Sequence, residues 1–464
     1  MDEKRPAGEG VPQENKMGVQ PVGKLLASMA IPMMISMLVQ AFYNVVDSVF
    51  VSRISENAFN AVGLAFPLQS LMIAVGVGTA VGINALLSRS LGEKRQDMAD
   101  RAAGSGIFLS LCNAVVFALI GVLLSRPFFL AQAKSVPEIV EMGTAYTKIC
   151  LGLSVGLFGQ FCFERLLQST GRTMLAMTSQ LAGALTNIIL DPIFIFGLLG
   201  APAMGVAGAA VATVIGQFVG AAIAILLNVK YNHDIHLRLG LIRWDKAAAR
   251  EIYRVGVPSI VMQSIGSVMT FGMNKILFVF TPTATAVFGA YFKIQSFVFM
   301  PIFGLNNGMV PIIAYNYGAG RRERVWKTVR LTIISAVAIM FLGFLSFQLA
   351  PATLLTLFDA SAEMTAIGVP ALRIISIAFL LAGFSIIAGS VCQAIGNPFY
   401  SMIVSVCRQL LVLLPAAWLL AQSGKLDLVW WAFPIAEVVA FILSAVFLRR
   451  TIRTADRQMG GDAA

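Results

Sequence analysis

The sequence predicts an all-α polytopic membrane protein, with twelve transmembrane helices in two six-helix bundles related by a parallel internal repeat. Three observations predict it. Of 464 residues, 58% are hydrophobic and 12% charged, with a mean hydropathy of +0.81, a balance that excludes a soluble globular domain. Twelve apolar runs are long enough, at about 1.5 Å per residue, to cross roughly 30 Å of bilayer hydrocarbon. The second half of the chain also repeats the first in a single register.

Bounded by polar or Gly/Pro clusters, the runs place helices near 25–51, 60–88, 102–125, 136–169, 174–199, 205–229, 252–280, 285–316, 328–350, 364–394, 399–421 and 428–448. Residues 1–24 are polar and lack an apolar core with a cleavage site, so they read as a disordered tail and not a signal peptide. An even number of crossings puts both termini on one side. That side receives 24 of the 34 basic residues, including Lys4, Arg5, Arg89, Arg172, Arg254, Arg324 and Arg457, whereas the other receives only Arg53, Arg126, Lys134 and Lys425. The asymmetry makes the basic side cytoplasmic. It also accounts for most of the net charge of +11, and nucleic-acid binding need not be invoked.

The five cysteines, Cys112, Cys150, Cys162, Cys392 and Cys407, lie in apolar runs without a CxxC and read as buried, reduced packing residues. His233 and His236 share a polar loop without the partners a metal site needs.

A shift of 226 residues aligns Pro32 with Pro258, Gly63 with Gly289, Phe66 with Phe292, and Gln69-Ser70 with Gln295-Ser296. The same shift carries Gly78, Gly82 and Gly92 onto Gly304, Gly308 and Gly318, and both copies run into a basic loop, GEKRQ or GAGRRER. QSTGR at 168–172 matches QAIGN at 393–397. Six crossings per copy start both copies on the same side, so the repeats are parallel, and substrate is expected between them near the midplane. The expected organisation is a tail over 1–24, an N-lobe over 25–230, a loop over 231–250, a C-lobe over 251–449 and a second tail over 450–464.

The first span contains one acid, Asp47. Insertion scales put an acidic side chain at a helix centre at about 2.5 to 3.5 kcal/mol, which marks it as functional. On the fifth span Asn187 and Asp191 are four apart and share a face, and Pro192 frees the carbonyl of Ile188 one turn back. Carboxylate, amide and backbone oxygens suit a hard monovalent cation, and paired carboxylates suit a proton. Thr213 in the sixth span either joins this set or bonds its own helix. The second copy is chemically unequal, because Met273 stands where Asp47 stands in the first. Lys275 and Lys293 lie in apolar surroundings and either meet an anionic group or snorkel. Glu164 and Arg165 are adjacent, so they point to different faces and read as interhelical partners. Gln40, Tyr43, Gln69 and Phe158 in the first half, with Met269, Phe292 and Gln295 in the second, are candidate cavity walls, since Met and aromatic side chains suit a re-packable surface.

From Pro32 to Arg449 these residues resemble the multidrug and toxic compound extrusion (MATE) family, most like its bacterial MepA-like members. PMMISMLVQAFYNVVDSVFVSR is similar to the family's first helix, AVGLAFPLQSLMIAVGVGTAVGINALLSRSLGEKR to its second helix and loop, QSTGR to its fourth-helix end, and NIILDPIF with GVAGAAVAT to its fifth and sixth. FGLNNGMVPIIAYNYGAGRRER is similar to the second-half counterpart. The resemblance implies a monomeric transporter in a bacterial inner membrane, both termini cytoplasmic, exporting amphipathic, cationic drugs against inward Na⁺ or H⁺ and needing no other cofactor. It places ion coupling on Asp47, Asn187, Asp191 and Thr213. A branch of the family with acids in helices seven and ten is not matched, because none lies between Gly256 and Phe280 or between Ala371 and Gly389. A flippase for a lipid-linked or anionic amphipathic substrate is the alternative, with Lys275 and Lys293 facing a phosphate. A membrane enzyme would need a nucleophile and base or a metal cluster within the spans, and no histidine lies there.

Overall fold

Helices in lipid satisfy every backbone group internally, and the described residues of this chain form helices throughout their apolar runs. The computed structural model describes residues 15–134, 136–358 and 360–460. In the first half the spans are α1 (Val22–Ser52), α2 (Glu56–Gly92), α3 (Gln96–Ala133), α4 (Pro137–Gly152, continued after a bend by Val155–Ser169), α5 (Thr173–Phe196) and α6 (Val206–Tyr231). In the second they are α7 (Lys246–Phe278), α8 (Pro282–Gly318), α9 (Arg322–Leu349), α10 (Ala362–Ser376, continued by Phe379–Ile395), α11 (Pro398–Ala421) and α12 (Ala432–Gly460). The repeat extends to the caps: the Ser55 side chain accepts from Ala58 N at the start of α2, and its counterpart Thr281 caps α8.

Two spans expected to be continuous are bent, α4 by 41° and α10 by 49°, at matching places in the two halves. At both bends the helical ladder tightens to i→i−3 bonds, Ser154 to Leu151 and Ala378 to Ile375. In α4 the buried Ser154 hydroxyl also donates to the Ala114 carbonyl at 3.1 Å, which ties the bend to α3.

The lobes meet through the glycines that define the repeat. A Cβ on Gly92 would stand 1.9 Å from the Tyr315 carbonyl oxygen, and one on Gly318 would stand 2.3 Å from that of Arg89. The 226-residue shift carries 92 to 318 and 89 to 315, so a single contact is made twice about the pseudo-twofold axis. Gly78 on α2 meets Ile260 on α7, and their counterparts Gly304 and Met34 meet in the same way. Midway along, the hydroxyls of Ser70 and Ser267 join α2 to α7 at 3.1 Å. Beyond that level the same two faces carry Phe66, Phe271 and Phe278, each at least 60% exposed. The lobes thus close at the end bearing the basic loops and part toward the other.

The basic end is more ordered than the sequence suggests. Of the segment read as a disordered tail, residues 1–14, with Lys4 and Arg5, lie outside the described residues. Residues 15–20 are held in place because donors of the second half take their backbone carbonyls and Asn15 itself donates toward the first half and the loop between the lobes. Asn15 donates to the Thr170 carbonyl and to Asp234, Asn316 donates to the Met17 carbonyl, Arg324 to those of Met17 and Gln20, and Arg321 to that of Gly18. Met17 is fully buried. Residues 450–460 continue α12, with Asp456 paired to Arg322 at 2.7 Å and accepting from Trp326.

The loop between the lobes is pinned to the N-lobe by Asp234 with Arg172 at 2.9 Å, His236 with Asp100 at 3.1 Å and Asp245 with Arg101 at 2.6 Å. Asp245 also caps α7, accepting from the amides of Ala247 and Ala248, and the Ala248 bond leads the causes, Arg101 among them, that hold its carboxyl below the usual range. A depressed carboxyl contributes stability above its unfolded-state pKa and loses it as pH falls through the folded one. Asp245→Ala is therefore expected to cost about 1 kcal/mol at neutral pH, as cap replacements do. Thermal unfolding in detergent should show the gap to wild type shrinking below about pH 4.

Candidate functional site

α5 and α6 approach closely where glycines face each other. A Cβ on Gly183 would lie 2.8 Å from the Gly216 carbonyl oxygen, and one on Gly216 would lie 2.7 Å from that of Gly183. One turn further along each helix, this approach brings Asn187 to Thr213. With its amide oriented to match neighbouring donors and acceptors, Asn187 donates to Asp191 Oδ2 at 3.1 Å and accepts from the Thr213 backbone N–H at 2.9 Å and hydroxyl at 3.2 Å. Asp191 is fully buried and Asn187 nearly so.

α1 completes the site. Tyr43 and Asp47 are four apart on one face, the Tyr43 hydroxyl approaches Thr213, and Asp47 lies near enough to Asp191 for the two carboxylates to repel. One oxygen of Asp47 is buried and meets no donor. Among the described residues neither carboxylate has an ion-pair partner. The α5 face extends to Gln180, which accepts a hydrogen bond from Ser36 on α1.

The structure thus gathers all four residues expected to couple ions, together with Tyr43. Of the other expected cavity residues, Gln69 turns into the N-lobe and donates to the Tyr146 hydroxyl at 3.1 Å, on the side of Asp47. Phe158 is not a cavity wall: it is 2% exposed and packs against Phe117 in the N-lobe core. Met269 is buried in the C-lobe core, as is Met273, and Phe292 packs edge-on against Phe288 at 4.8 Å. Gln40 and Gln295 are half-exposed. Lys275 is exposed rather than enclosed, with its Nζ 5.5 Å from the centre of the Phe271 ring. The periodicity of an all-apolar helix does not say which side faces a lobe interior, and this is why these assignments slipped. Tyr146 and Gln217 were missed for the same reason, although Gln217 stands one turn from Thr213 with a buried, unpartnered oxygen.

Glu164 and Arg165 do point apart. Glu164 is buried and accepts from Gln160 at 2.9 Å, whereas Arg165 crosses to the C-lobe and donates to Asn307 at 3.0 Å. Cys150, Cys162 and Cys392 are buried, but Cys112 is exposed and Cys407 half-buried, since an apolar side chain on the outer surface of a span needs no burial.

With this geometry in place, comparison with known proteins is direct. The MatE family model matches residues 32–193 and 258–419, one match in each half. The multidrug export protein MepA of Staphylococcus haemolyticus is 26% identical over 435 residues, 93% of this chain and 94% of that protein. A probable multidrug resistance protein NorM of Thermotoga maritima is 26% identical over 95% of this chain and 97% of its own length. A solved structure described as the outward-facing conformation of a multidrug resistance MATE family transporter of the MOP superfamily superposes with a TM-score of 0.90 at 26% identity, covering 97% of this chain and all of that one. The chain belongs to the MatE family, the multidrug and toxic compound extrusion transporters.

Proposed function

We propose that the protein is a secondary active exporter that exchanges amphipathic, cationic compounds for Na⁺ or H⁺ by alternating access, and that this structure is its outward-facing state. One observation carries the reading: a fully buried carboxylate, Asp191, and a half-buried one, Asp47, lie side by side in one lobe, and among the described residues no basic side chain pairs with either. Burying two negative charges side by side is costly, so the site draws in a proton or a metal cation to neutralise them. Asn187 and Thr213 fix the position of Asp191, and the unpartnered oxygen of Asp47 supplies a free ligand. The basic end is cytoplasmic by the charge asymmetry of the loops, so the cleft between the lobes opens outward. Both termini, the multi-pass placement in a bacterial inner membrane and function as a monomer follow in the same proposal. An ion and a drug that bind the two facing states differently are linked, each lowering affinity for the other by the same factor when they favour opposite states.

The test is export of a fluorescent cation from proteoliposomes under separately imposed Na⁺ and pH gradients, with titration of the bound dye by each ion. One gradient should drive export. Asn187→Ala should weaken ion-induced release of dye, while Lys275→Ala, at the exposed rim of the C-lobe, should alter dye affinity and leave that release intact. The opposite pattern would put the coupling site in the wrong lobe. Movement of a phosphorylated lipid with no ion dependence would favour the flippase alternative, to which exposed Lys275 and Lys293 lend a cationic surface.

A further inference from the structure

Residues 15–20 lead into α1 and form one helical turn, Lys16–Val19, capped by Asn15. This short strap touches both lobes. Toward the N-lobe, Asn15 donates to the Thr170 carbonyl, just past the end of α4, at 3.1 Å. The turn then lies on Gly171, where a Cβ would stand 3.1 Å from Lys16 Cε and 3.3 Å from Met17 Cγ. Gly171 has a φ of +84°, which favours glycine, so the seat stays bare. Toward the C-lobe, Asn316 at the end of α8 reaches the Met17 carbonyl at 2.9 Å, and Arg324 on α9 reaches those of Met17 and Gln20 at 3.0 and 2.7 Å. Arg324 also donates to Asn316 Oδ1 at 3.0 Å, so the two donors form one clamp. Met17 and Asn316 are both fully buried.

The repeat gives this strap a counterpart. A shift of 226 carries 15–20 onto 241–246, the end of the loop that leads into α7. That segment lies on α3 of the N-lobe: the Leu241 carbonyl oxygen would be 2.3 Å from a Cβ on Gly104, and Asp245 pairs with Arg101. The same shift matches Gln96, where α3 begins, to Arg322, where α9 begins. Each lobe thus sends the segment before its first helix onto the third helix of the other, and two crossed straps close the basic end. The second is also the covalent link between the lobes, whereas the first joins them only through the contacts above.

We infer that residues 15–20 are a latch: seated across the seam they hold the outward-facing state, and the basic end opens only when they leave the C-lobe. Parting the lobes there takes Asn316 and Arg324 away from the strap's carbonyls and brings Met17 into water, and both changes cost free energy. The cost falls on the inward-facing state alone, so the strap biases the balance between the two. The inference rests on the outward-facing reading proposed above, and not on export.

It is tested by double electron–electron resonance between nitroxides on cysteines at exposed Lys230 and Arg330, one in each lobe, in full-length protein otherwise free of cysteine. In liposomes without drug or gradient, wild type is expected mostly at a short distance. Met17→Ala and Arg324→Gln are each expected to raise the ratio of long to short distances at least about fivefold, the lower end of such couplings. Val19→Ala, on the same turn but exposed, should leave the ratio unchanged. Short distances unchanged in Met17→Ala and Arg324→Gln overturn the latch alone, whereas a wild type already at the long distance overturns the outward-facing reading and the latch with it. Should either variant not fold, Asn15→Ala, which gives up only the bonds to Thr170 and Asp234 and the cap of the turn, answers the same question: a raised ratio supports the latch, and an unchanged one overturns it.

Discussion

Asp47→Asn is expected to abolish gradient-driven export while the protein folds and inserts normally. The amide matches the carboxylate in shape and sits on α1, where one oxygen already lacks a donor, so packing loses nothing. What it removes is the charge. Taking one charged partner from a desolvated site costs roughly 3–5 kcal/mol, which is roughly two to nearly four orders of magnitude in affinity for the driving ion. Asp191→Asn should behave likewise, because Asp191 is fully buried and shares the site. Ion-driven export and dye binding, measured on protein of matched yield and thermal stability, check both. Full export by well-folded Asp47→Asn would remove this carboxylate from the mechanism, and an unchanged ion dependence in either variant would break the two-carboxylate site.

Which features the sequence made legible follows from what each signal measures. A polar atom inside an apolar run is conspicuous in one dimension, so Asp47, Asn187, Asp191 and Thr213 could be named before any coordinates, and helical spacing put two of them on one face. The repeat was equally plain, because glycines at a lobe contact tolerate no side chain and so stay in register. Helix ends were read short: α2, α7 and α12 continue past the hydrocarbon into Arg- and Lys-bearing turns that hydropathy scores as loop. The direction of a side chain around an apolar helix has no such signature, and Phe158 and Gln69 went to the cavity when one fills the N-lobe core and the other bonds Tyr146. The pairing of Arg408 with the buried Glu437, at 3.4 Å, was not legible either, because the two lie 29 residues apart in the chain.

Alanine at Gly92 or at Gly318 is expected to open the basic end and stop transport. Each new methyl would meet a backbone carbonyl of the opposite lobe, at 1.9 Å from Tyr315 and 2.3 Å from Arg89, and a helix backbone cannot turn aside as a side chain can. Overpacking of this kind costs about 1–3 kcal/mol. Charged to the closed arrangement alone, that is roughly a five- to 150-fold shift in the balance between the two facing states. Gly63→Ala and Gly289→Ala, matched to each other in the same repeat, have no atom within 4 Å and should leave the balance unchanged. Reaction of a cysteine at Ala85, buried two turns back on the Gly92 face, with a membrane-impermeant thiol reagent reads the opening in a background free of the native cysteines. Labelling should rise in Gly92→Ala and in Gly318→Ala. The double variant should label little faster than either single one, because one methyl already wedges the seam that the second would enter, and changes at one shared contact do not add. Unchanged labelling and undiminished export in both single variants would mean that the lobes can rearrange around the methyl, and that the twice-made glycine contact does not hold this end shut.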